Sequence, residues 1–532
     1  MKALLIYPEF PDTFWSFRHA LQFIDKAAAC PPLGLITVAA MLPADWELRL
    51  VDTNVRTLTD ADLVWSDLVL VSAMNIQRES AHEIIARAKA ADRTVVAGGP
   101  LFTGEHEQFP EVDHFVLHEA ELTLPPFLAD LERGCPERLY TTHDFADITQ
   151  TPVPRWDLLE LDRYDSMSLQ FSRGCPFNCD FCNITALLGH RVRTKTAAQV
   201  VAELDALYAL GWNRRLFFVD DNFIGNKKIL KREILPALRA WRKRTPRALG
   251  IGTEASINLA DDEELMTMMV AAGFDTVFVG IETPDDDGLA ECNKGQNRGR
   301  DLVESVRRLH RAGLQVQAGF IVGFDSDTPA TFQRQIDFIQ ESGIVTAMVG
   351  LLQAPYGTDL YKRLQAAGRI VEEMGGDNTD GSTNIVPKMH PYVLHAGHRR
   401  ILATIYAPEN FYRRVRTFLA DYDARQMRVQ LQWTEIKAWF RSMWQLGVRS
   451  PERGHYWRLF FHTLLHKPRL VGLAVTLAIY GYHFRTIYDV HLRDAPAGRP
   501  AAVRRRRWAG VPARQPVGAP ASARQLADSP TR

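Results

Sequence analysis

The stretch RGCPFNCDFC, Arg173–Cys182, places three of the chain's six cysteines within eight residues. Their spacing is C-x3-C-x2-C, and the other three cysteines, Cys30, Cys135 and Cys292, each stand alone. Zinc sites commonly take four tetrahedral ligands from two separated pairs, and His190 could complete such a set here. Three closely spaced thiolates instead favour a 4Fe-4S cluster with one iron left open to a substrate. We therefore predict cluster binding by Cys175, Cys179 and Cys182.

The sequence around this stretch alternates apolar strands with amphipathic helices. The predicted strands are Met167–Ser172, Leu216–Asp221, Gly250–Ser256, Thr276–Glu282, Val316–Phe324 and Ala347–Gln353. Most of the helices between them end at a glycine, as expected for a helix C-cap. Six such β/α steps predict a partial (β/α)6 barrel of the TIM type over residues 165–374. Parallel barrels carry their chemistry on the loops that follow their strands, and the cysteines follow the first strand.

A second α/β region precedes the barrel. Strands are predicted at Met1–Pro8, Glu47–Asp52, Leu68–Ser72 and Thr94–Pro100, with helices between them. Apolar strands alternating with helices predict a Rossmann-like parallel sheet over residues 1–150. Such sheets bind ligands beyond the carboxyl ends of their strands. Because the region has neither Gly-x-Gly-x-x-Gly nor a P-loop, a dinucleotide or a nucleoside triphosphate is disfavoured.

The rest of the chain differs in composition. A proline-containing linker is expected at 151–164. The helical spacing of apolar residues predicts a helical C-terminal domain at 375–492. The apolar run Leu470–Phe484 is short for a membrane span, so a buried helix is expected. Residues 493–532 are rich in Ala, Pro, Arg and Gly, which predicts a disordered tail.

Composition limits the partners and the compartment. The 63 basic residues balance the 63 acidic ones, and Arg504–Arg507, the one basic run, lies in the predicted tail. We therefore expect no nucleic-acid partner. The small number of cysteines and the lack of a secretory signal in the sequence favour the reducing cytoplasm.

The cysteine motif, with Phe181 before its last cysteine and a strand before it, resembles the radical S-adenosylmethionine (SAM) superfamily. The resemblance implies that the cluster, reduced by an external donor such as flavodoxin or ferredoxin, cleaves SAM to a 5'-deoxyadenosyl radical. The later segments VDDNF, TEAS, GIET, GFIVGF and LLQAPYGT resemble the strand-end motifs of that family. By this resemblance, the residues expected to bind SAM are Phe181, Asp220, Asp221, Asn222, Glu254, Ser256, Glu282, Gly319 and Gln353.

The first region resembles the cobalamin-binding branch of the same superfamily, through PPLGLITVAAML, VVAGGP and HEAE. The chain contains no Asp-x-His-x-x-Gly, so no histidine ligand to cobalt is expected of the kind that this motif supplies. The layout with a helical C-terminal domain resembles methylases of hopanoids and bacteriochlorophyll precursors. Candidate cobalamin contacts, chosen by their position at the sheet edge, are Ser72, Met74, Gly98, Gly99 and Glu119.

The resemblance predicts cobalamin-dependent methylation of an unactivated carbon on a small or lipophilic metabolite. A peripheral membrane contact is compatible with such a substrate. Radical rearrangement or oxidation without methyl transfer would use the same cofactors and stays open. A tRNA-modifying radical enzyme and a non-enzymatic iron-sulfur or cobalamin sensor are further alternatives at this stage.

Overall fold

The computed structural model describes residues 1–245, 250–372, 374–377, 379–423 and 433–491. It has two six-stranded parallel sheets, each with helices packed against it, and a set of C-terminal helices. This confirms the predicted α/β fold class. The tail predicted at 493–532 lies outside the described residues.

The N-terminal sheet has the strand order β2-β1-β3-β4-β5-β6, with every pair parallel. Its strands are β1 Lys2–Tyr7, β2 Glu47–Asp52, β3 Leu68–Ser72, β4 Thr94–Gly98, β5 His114–Val116 and β6 Leu139–Tyr140. Side chains of β1 are fully buried on both faces, as a sheet covered on both sides requires. The sequence did not predict β5 and β6, because runs of three and two residues are too short to show a strand pattern.

Six α-helices occur in the same part of the chain as this sheet. They are α1 Arg18–Leu21, α2 Leu33–Ala39, α3 Asp60–Trp65, α4 Arg78–Ala90, α5 Pro100–Glu105 and α6 Ala120–Glu132. Two separate clusters of buried apolar side chains form, one centred on Val69 and Val95 and the other on Leu70 and Val96. Successive strand residues point to opposite faces, so helices cover the sheet on both sides.

The second sheet is a partial barrel with the order β7-β10-β11-β12-β13-β14, again parallel throughout. Its strands are β7 Ser166–Leu169, β10 Arg215–Phe218, β11 Ile251–Glu254, β12 Phe274–Glu282, β13 Gln315–Val322 and β14 Ala347–Leu351. The predicted first strand is shorter than expected. Its last predicted residue, Ser172, instead belongs to a separate antiparallel pair, β8 Ser172–Arg173 with β9 Arg193–Thr194. The cysteine loop therefore leaves and returns through a two-stranded ribbon.

The helices of this region pack outside the barrel strands. They are α7 Ile184–Leu188, α8 Ala197–Ala209, α9 Lys227–Ile229, α10 Leu235–Arg244, α11 Glu263–Ala272, α12 Asp286–Glu291, α13 Leu302–Ala312, α14 Pro329–Ser342 and α15 Asp359–Ala366. Gly273 and Gly313 end α11 and α13 with φ of 105° and 96°, the left-handed conformation that glycine adopts most readily.

The described C-terminal region is helical, as predicted. It contains α16 Pro391–Tyr406, α17 Pro408–Asp421, α18 Trp433–Trp444, α19 Arg453–His466 and α20 Val471–His491. The stretch Pro468–Asp489 is long and apolar enough to cross a membrane by length and composition alone. Within it, Leu477 and Ala478 are fully buried and Phe484 stacks on Phe14 at 4.1 Å between ring centroids. This helix therefore packs at least one face against the rest of the chain, while Gly472 and Thr476 on it are exposed.

Candidate active site

The three motif cysteines lie on the loop between β8 and α7. Gly174, which begins the loop, has φ of 91°, and a Cβ there would lie 2.7 Å from the carbonyl oxygen of Arg191. The loop closes on itself where the Cys175 N–H donates to Gly189 O at 3.2 Å and the Cys182 N–H donates to Cys179 O at 3.1 Å. All three thiols are free and partly buried. A substituent at Gly174 would thus push the loop off the chain segment that supports it.

The surroundings of these thiols suit a cluster ligand set. The backbone N–H groups of Phe177 and Ile184 donate towards the sulfurs of Cys175 and Cys182 and so favour the thiolate that binds iron, whereas burial opposes it and raises the pKa of Cys182 to about 12. The Gln296 Nε2 lies 3.7 Å from Cys179 Sγ. Hydrogen bonds to sulfur are a feature of iron-sulfur sites, where they adjust the cluster's potential. Across the described ranges, no three His, Cys, Asp or Glu side chains are grouped around a single metal ion. A 4Fe-4S cluster does not require such a group, because each cysteine binds a different iron.

The segment after β12 braces the cysteine loop from the other side. The Asp180 N–H donates to Cys292 O at 3.2 Å, and Asn293 Nδ2 donates to Asn178 O at 2.8 Å. Arg363 on α15 also pairs with Asp180 at 2.8 Å. These supports have no signal in the sequence, since they are single residues far from the motif along the chain.

Asp220 and Asp221 follow β10 and differ in their contacts. Asp220 is fully buried and accepts the Phe171 N–H at 3.0 Å and the Ser172 hydroxyl at 2.6 Å, so it fixes the entry to the cysteine loop. Burial raises its pKa to about 7. Asp221 has a buried Oδ2 that meets no hydrogen-bond donor among the described residues.

Asp221 belongs to a group of acids at the strand ends. Burial raises its pKa to about 6, while burial and the nearby Asp221 and Asp220 raise the pKa of Glu254, at the end of β11, to about 8. Asp221 also acts electrostatically on Cys175 and Cys182. An ammonium group bound beside these acids would favour their charged forms. The site can therefore hold a cationic amine next to the cysteines.

Asn222 and Ser256 lie together beside these acids. Asn222 Oδ1 accepts the Ser256 N–H at 3.3 Å, and the Ser256 hydroxyl donates to Asn258 Oδ1 at 2.7 Å. The first of these bonds joins the loops that follow β10 and β11, and the second lies within the segment after β11.

Glu282 ends β12 in a strained conformation, with φ of 64°. Its carboxylate accepts from Lys294 Nζ at 2.6 Å, and the Gln335 amide donates to its backbone carbonyl at 3.3 Å. Although burial opposes the charged form, Glu282 raises the pKa of Lys294, and Lys294 Nζ lies 5.9 Å from the Phe181 ring centroid. Glu282 and Phe181 are both predicted from the sequence, whereas Lys294, which contacts both, has no sequence signal of its own.

Gly319 and Gln353 lie on the last two barrel strands or just beyond them. A Cβ at Gly319 would lie 3.1 Å from the Phe278 ring, so glycine gives that ring its space. Gln353 Nε2 donates to Asp377 O at 2.9 Å, which ties the end of β14 to the chain that leads into the C-terminal helices.

Four of the predicted cobalamin residues lie at the carboxyl edge of the N-terminal sheet. A Cβ at Gly98 would lie 2.6 Å from Val116 O, and Gly99, with φ of 89°, would place one 2.7 Å from Ser72 Oγ. Ser72 and the half-exposed Met74 face a large cavity. The two glycines therefore let the backbone approach Val116 and Ser72 more closely than a larger residue would allow.

Glu119, the fifth predicted cobalamin residue, has protein partners. Its carboxylate accepts from Arg173 at 2.8 Å, from Arg193 at 2.8 Å and from the Ala146 N–H at 2.7 Å. Glu119 thereby links the N-terminal sheet to both strands of the ribbon that carries the cysteine loop. Direct contact with cobalamin stays a prediction for this residue.

The cavity extends between the N-terminal sheet, the barrel interior and the C-terminal helices, with a volume of about 1970 Å³. Its walls include Trp15, whose Nε1 lies 2.9 Å from Met348 Sδ and whose ring lies 5.4 Å from that of Phe278. Pockets for one drug-sized ligand measure roughly 300–1,000 Å³. This cavity has room for more than one bound molecule.

Three family descriptions match the chain. Residues 26–128 match the B12 binding domain, residues 169–339 the radical SAM superfamily, and residues 358–495 a domain of unknown function, DUF4070. The fold and the cysteine site thus define a radical SAM enzyme with a B12-binding domain. Its cofactors are a 4Fe-4S cluster, SAM and cobalamin, which confirms the three predicted from the sequence.

Similar proteins indicate which reaction this radical SAM enzyme catalyses. The chain is 41% identical to an uncharacterized methyltransferase of Synechocystis, over 91% of each chain. It is 34% identical to the hopanoid C-2 methylase of Rhodopseudomonas palustris, over 93% of this chain and 97% of that protein. The cobalamin-dependent SAM radical enzyme OxsB shares the fold, with a TM-score of 0.60, 15% identity and coverage of 93% of this chain and 80% of that one. This chain belongs to the family of cobalamin-dependent radical SAM methyltransferases.

Proposed function

We propose that this methyltransferase acts on an unactivated carbon of a lipophilic small molecule, with polycyclic hopanoid lipids as the first candidates. The observation that carries the proposal is the cavity, whose walls are largely apolar and aromatic and include Phe17, Phe23, Ile436 and Ile479. The 34% identity with the hopanoid C-2 methylase along nearly its whole length supports the same substrate class.

The bound groups divide the chemistry between them. When bound, the cluster and SAM supply a radical that removes hydrogen from an unactivated carbon, and cobalamin supplies the methyl group. The protein's part is to bind, to orient and to exclude water. Trp15 serves the last of these, because its ring contacts the Phe278 ring and its Nε1 contacts Met348 Sδ at the barrel strands.

We assign binding roles from the contacts at the strand ends. Asp221 and Glu254 hold the methionyl ammonium of SAM, since Asp221 has a buried oxygen that meets no donor within the described part of the chain and Glu254 faces the cavity. Lys294, held by Glu282 beside Phe181, is placed to meet the methionyl carboxylate. Asp220 orients the cysteine loop. The other residues predicted from the sequence to bind SAM or cobalamin form the walls around these two cofactors.

The partners and the compartment complete the proposal. An external one-electron donor such as flavodoxin or ferredoxin reduces the cluster, and the enzyme works in the cytoplasm. A lipophilic substrate also calls for contact with a membrane surface.

Anaerobic turnover tests the substrate class. The reconstituted enzyme, with SAM, cobalamin and a reductant, is given a hopene in detergent micelles or a water-soluble amino acid, and the products are analysed by mass spectrometry. We expect the hopene to gain one methylene unit in mass, and Cys175→Ala to abolish that product. Methylation of the amino acid alone, or an oxidised hopene without added carbon, would contradict the proposal.

A further inference from the structure

The helices α18 and α19 carry an exposed apolar surface. On α18, Trp433, Phe440 and Trp444 are seven and four residues apart, so they share one face of the helix. Trp444 is 59% exposed and Leu465 of α19 is 78% exposed. We call the following residues the α18–α19 patch: Trp433, Phe440, Trp444, Val448, Phe461, Leu464 and Leu465.

Ring contacts make the patch continuous across the two helices. The Trp439 ring lies 5.3 Å from that of Phe440 and 6.1 Å from that of Phe460. Phe460 in turn lies 5.4 Å from Phe461. Contiguous exposed apolar surface of this kind marks a site of contact with a protein or a membrane.

The charge around the patch distinguishes between these partners. Residues 433–470 contain seven Lys or Arg and two Asp or Glu, although the chain as a whole has 63 of each charge. One of the two acids, Glu452, is buried and paired with Arg485. Exposed basic residues flank the patch at Lys437, Arg449, Arg453, Arg458 and Arg469. Tryptophan and phenylalanine flanked by Lys and Arg are typical of helices that lie in the interface of an anionic membrane.

The patch also adjoins the cavity. Trp439 lines the cavity while its ring contacts the exposed Phe440. Ile436 of α18 and Val471 and Leu473 at the start of α20 line the same end. An apolar path therefore leads from the patch to the cavity wall.

We propose that the α18–α19 patch docks on an anionic lipid bilayer, and that the lipophilic substrate passes between bilayer and cavity beside Ile436 and Trp439. Docking stands on exposure and charge, whereas substrate passage rests on the proposed function. A second copy of the chain fits the patch less well, because a two-fold interface would bring the same basic residues face to face.

Vesicle flotation of the full-length, reconstituted enzyme tests docking. We expect binding to phosphatidylcholine vesicles that contain phosphatidylglycerol, weaker binding to phosphatidylcholine alone, and release by salt. Lys437→Gln and Arg458→Gln should each lower partitioning roughly fivefold, the factor for about 1 kcal/mol per basic residue near an anionic surface. The double variant Trp444→Ser, Leu465→Ser should lower it by about tenfold or more, since both side chains would leave the apolar phase.

A matched control replaces exposed apolar residues elsewhere, Val64→Ser with Leu210→Ser, and should bind vesicles as the wild type does. Tryptophan quenching by brominated lipid gives a second measurement, which should weaken in Trp433→Phe, Trp444→Phe. Equal binding by the patch and control variants, no vesicle binding by the wild type, or a dimer that Trp444→Ser, Leu465→Ser converts to a monomer would overturn docking. Flotation does not depend on turnover. Failure to bind vesicles would therefore leave the proposed methylation in micelles untouched, and failure to methylate would leave the proposed docking untouched.

Discussion

Arg173 Nη1 lies 2.8 Å from Oε1 of Glu119, and this buried ion pair joins the cysteine loop to the N-terminal sheet. A second carboxylate, Glu121, accepts from Arg173 Nη2 at 2.8 Å, and Arg193 reaches the other oxygen of Glu119. Two regions that hold different cofactors are thus connected through one arginine of the motif.

Replacing Arg173 with Met should destabilise the protein by about 3–5 kcal/mol, because two buried carboxylates would lose a charged partner. Denaturant unfolding measures this, and iron and cobalamin content after reconstitution should fall together. Arg155→Met is the control, since its pair with Asp157 is half exposed and should contribute less than about 1 kcal/mol. Equal losses in the two variants would contradict the connecting role.

Lys294→Met should weaken SAM binding by about tenfold or more while the cysteines still bind iron, because a charge-assisted contact is lost. Isothermal titration with SAM and an iron assay separate the two effects. Lys231→Met, which removes a lysine paired with Asp262 and Glu264 away from the motif, serves as the control. Wild-type SAM affinity in Lys294→Met would exclude the assigned contact.

Acid should destabilise the fold between pH 6.5 and 4 in part through His398. Burial lowers its pKa to about 4, and its Nε2 donates to Val349 O at 2.8 Å. The unfolded chain, with a histidine pKa of about 6.5, binds a proton in this range that the folded chain does not, so stability is present above the range and falls as pH falls.

The slope from one such histidine approaches about 1.4 kcal/mol per pH unit. His398→Gln should therefore show a shallower loss of stability in urea unfolding from pH 7 to pH 4. His143 is exposed, so the control variant His143→Gln should lose stability with pH as the wild type does. An unchanged slope in His398→Gln would disprove the contribution of His398 to acid destabilisation.

The sequence predicted the two α/β regions because long apolar strands and glycine-capped helices are local features. The cysteine motif likewise predicts three cluster ligands, since all three thiols lie within eight residues. By contrast, Lys294 lies beside Phe181 and Arg363 pairs with Asp180, although both come from segments distant from the motif. Nothing in their local sequence indicates these contacts. The ion pairs of Glu119 are also non-local. Its position at the sheet edge predicts a cobalamin contact, but nothing in its local sequence indicates its pairing with Arg173 and Arg193.

The central claim is that one active site uses both the cluster and cobalamin. Its most direct test is anaerobic incubation of the reconstituted enzyme with SAM, cobalamin, a reductant and a hopene, with 5'-deoxyadenosine and S-adenosylhomocysteine measured together. We predict that both products form and that Cys175→Ala abolishes 5'-deoxyadenosine. Full loading of cluster and cobalamin with neither product formed would contradict the account.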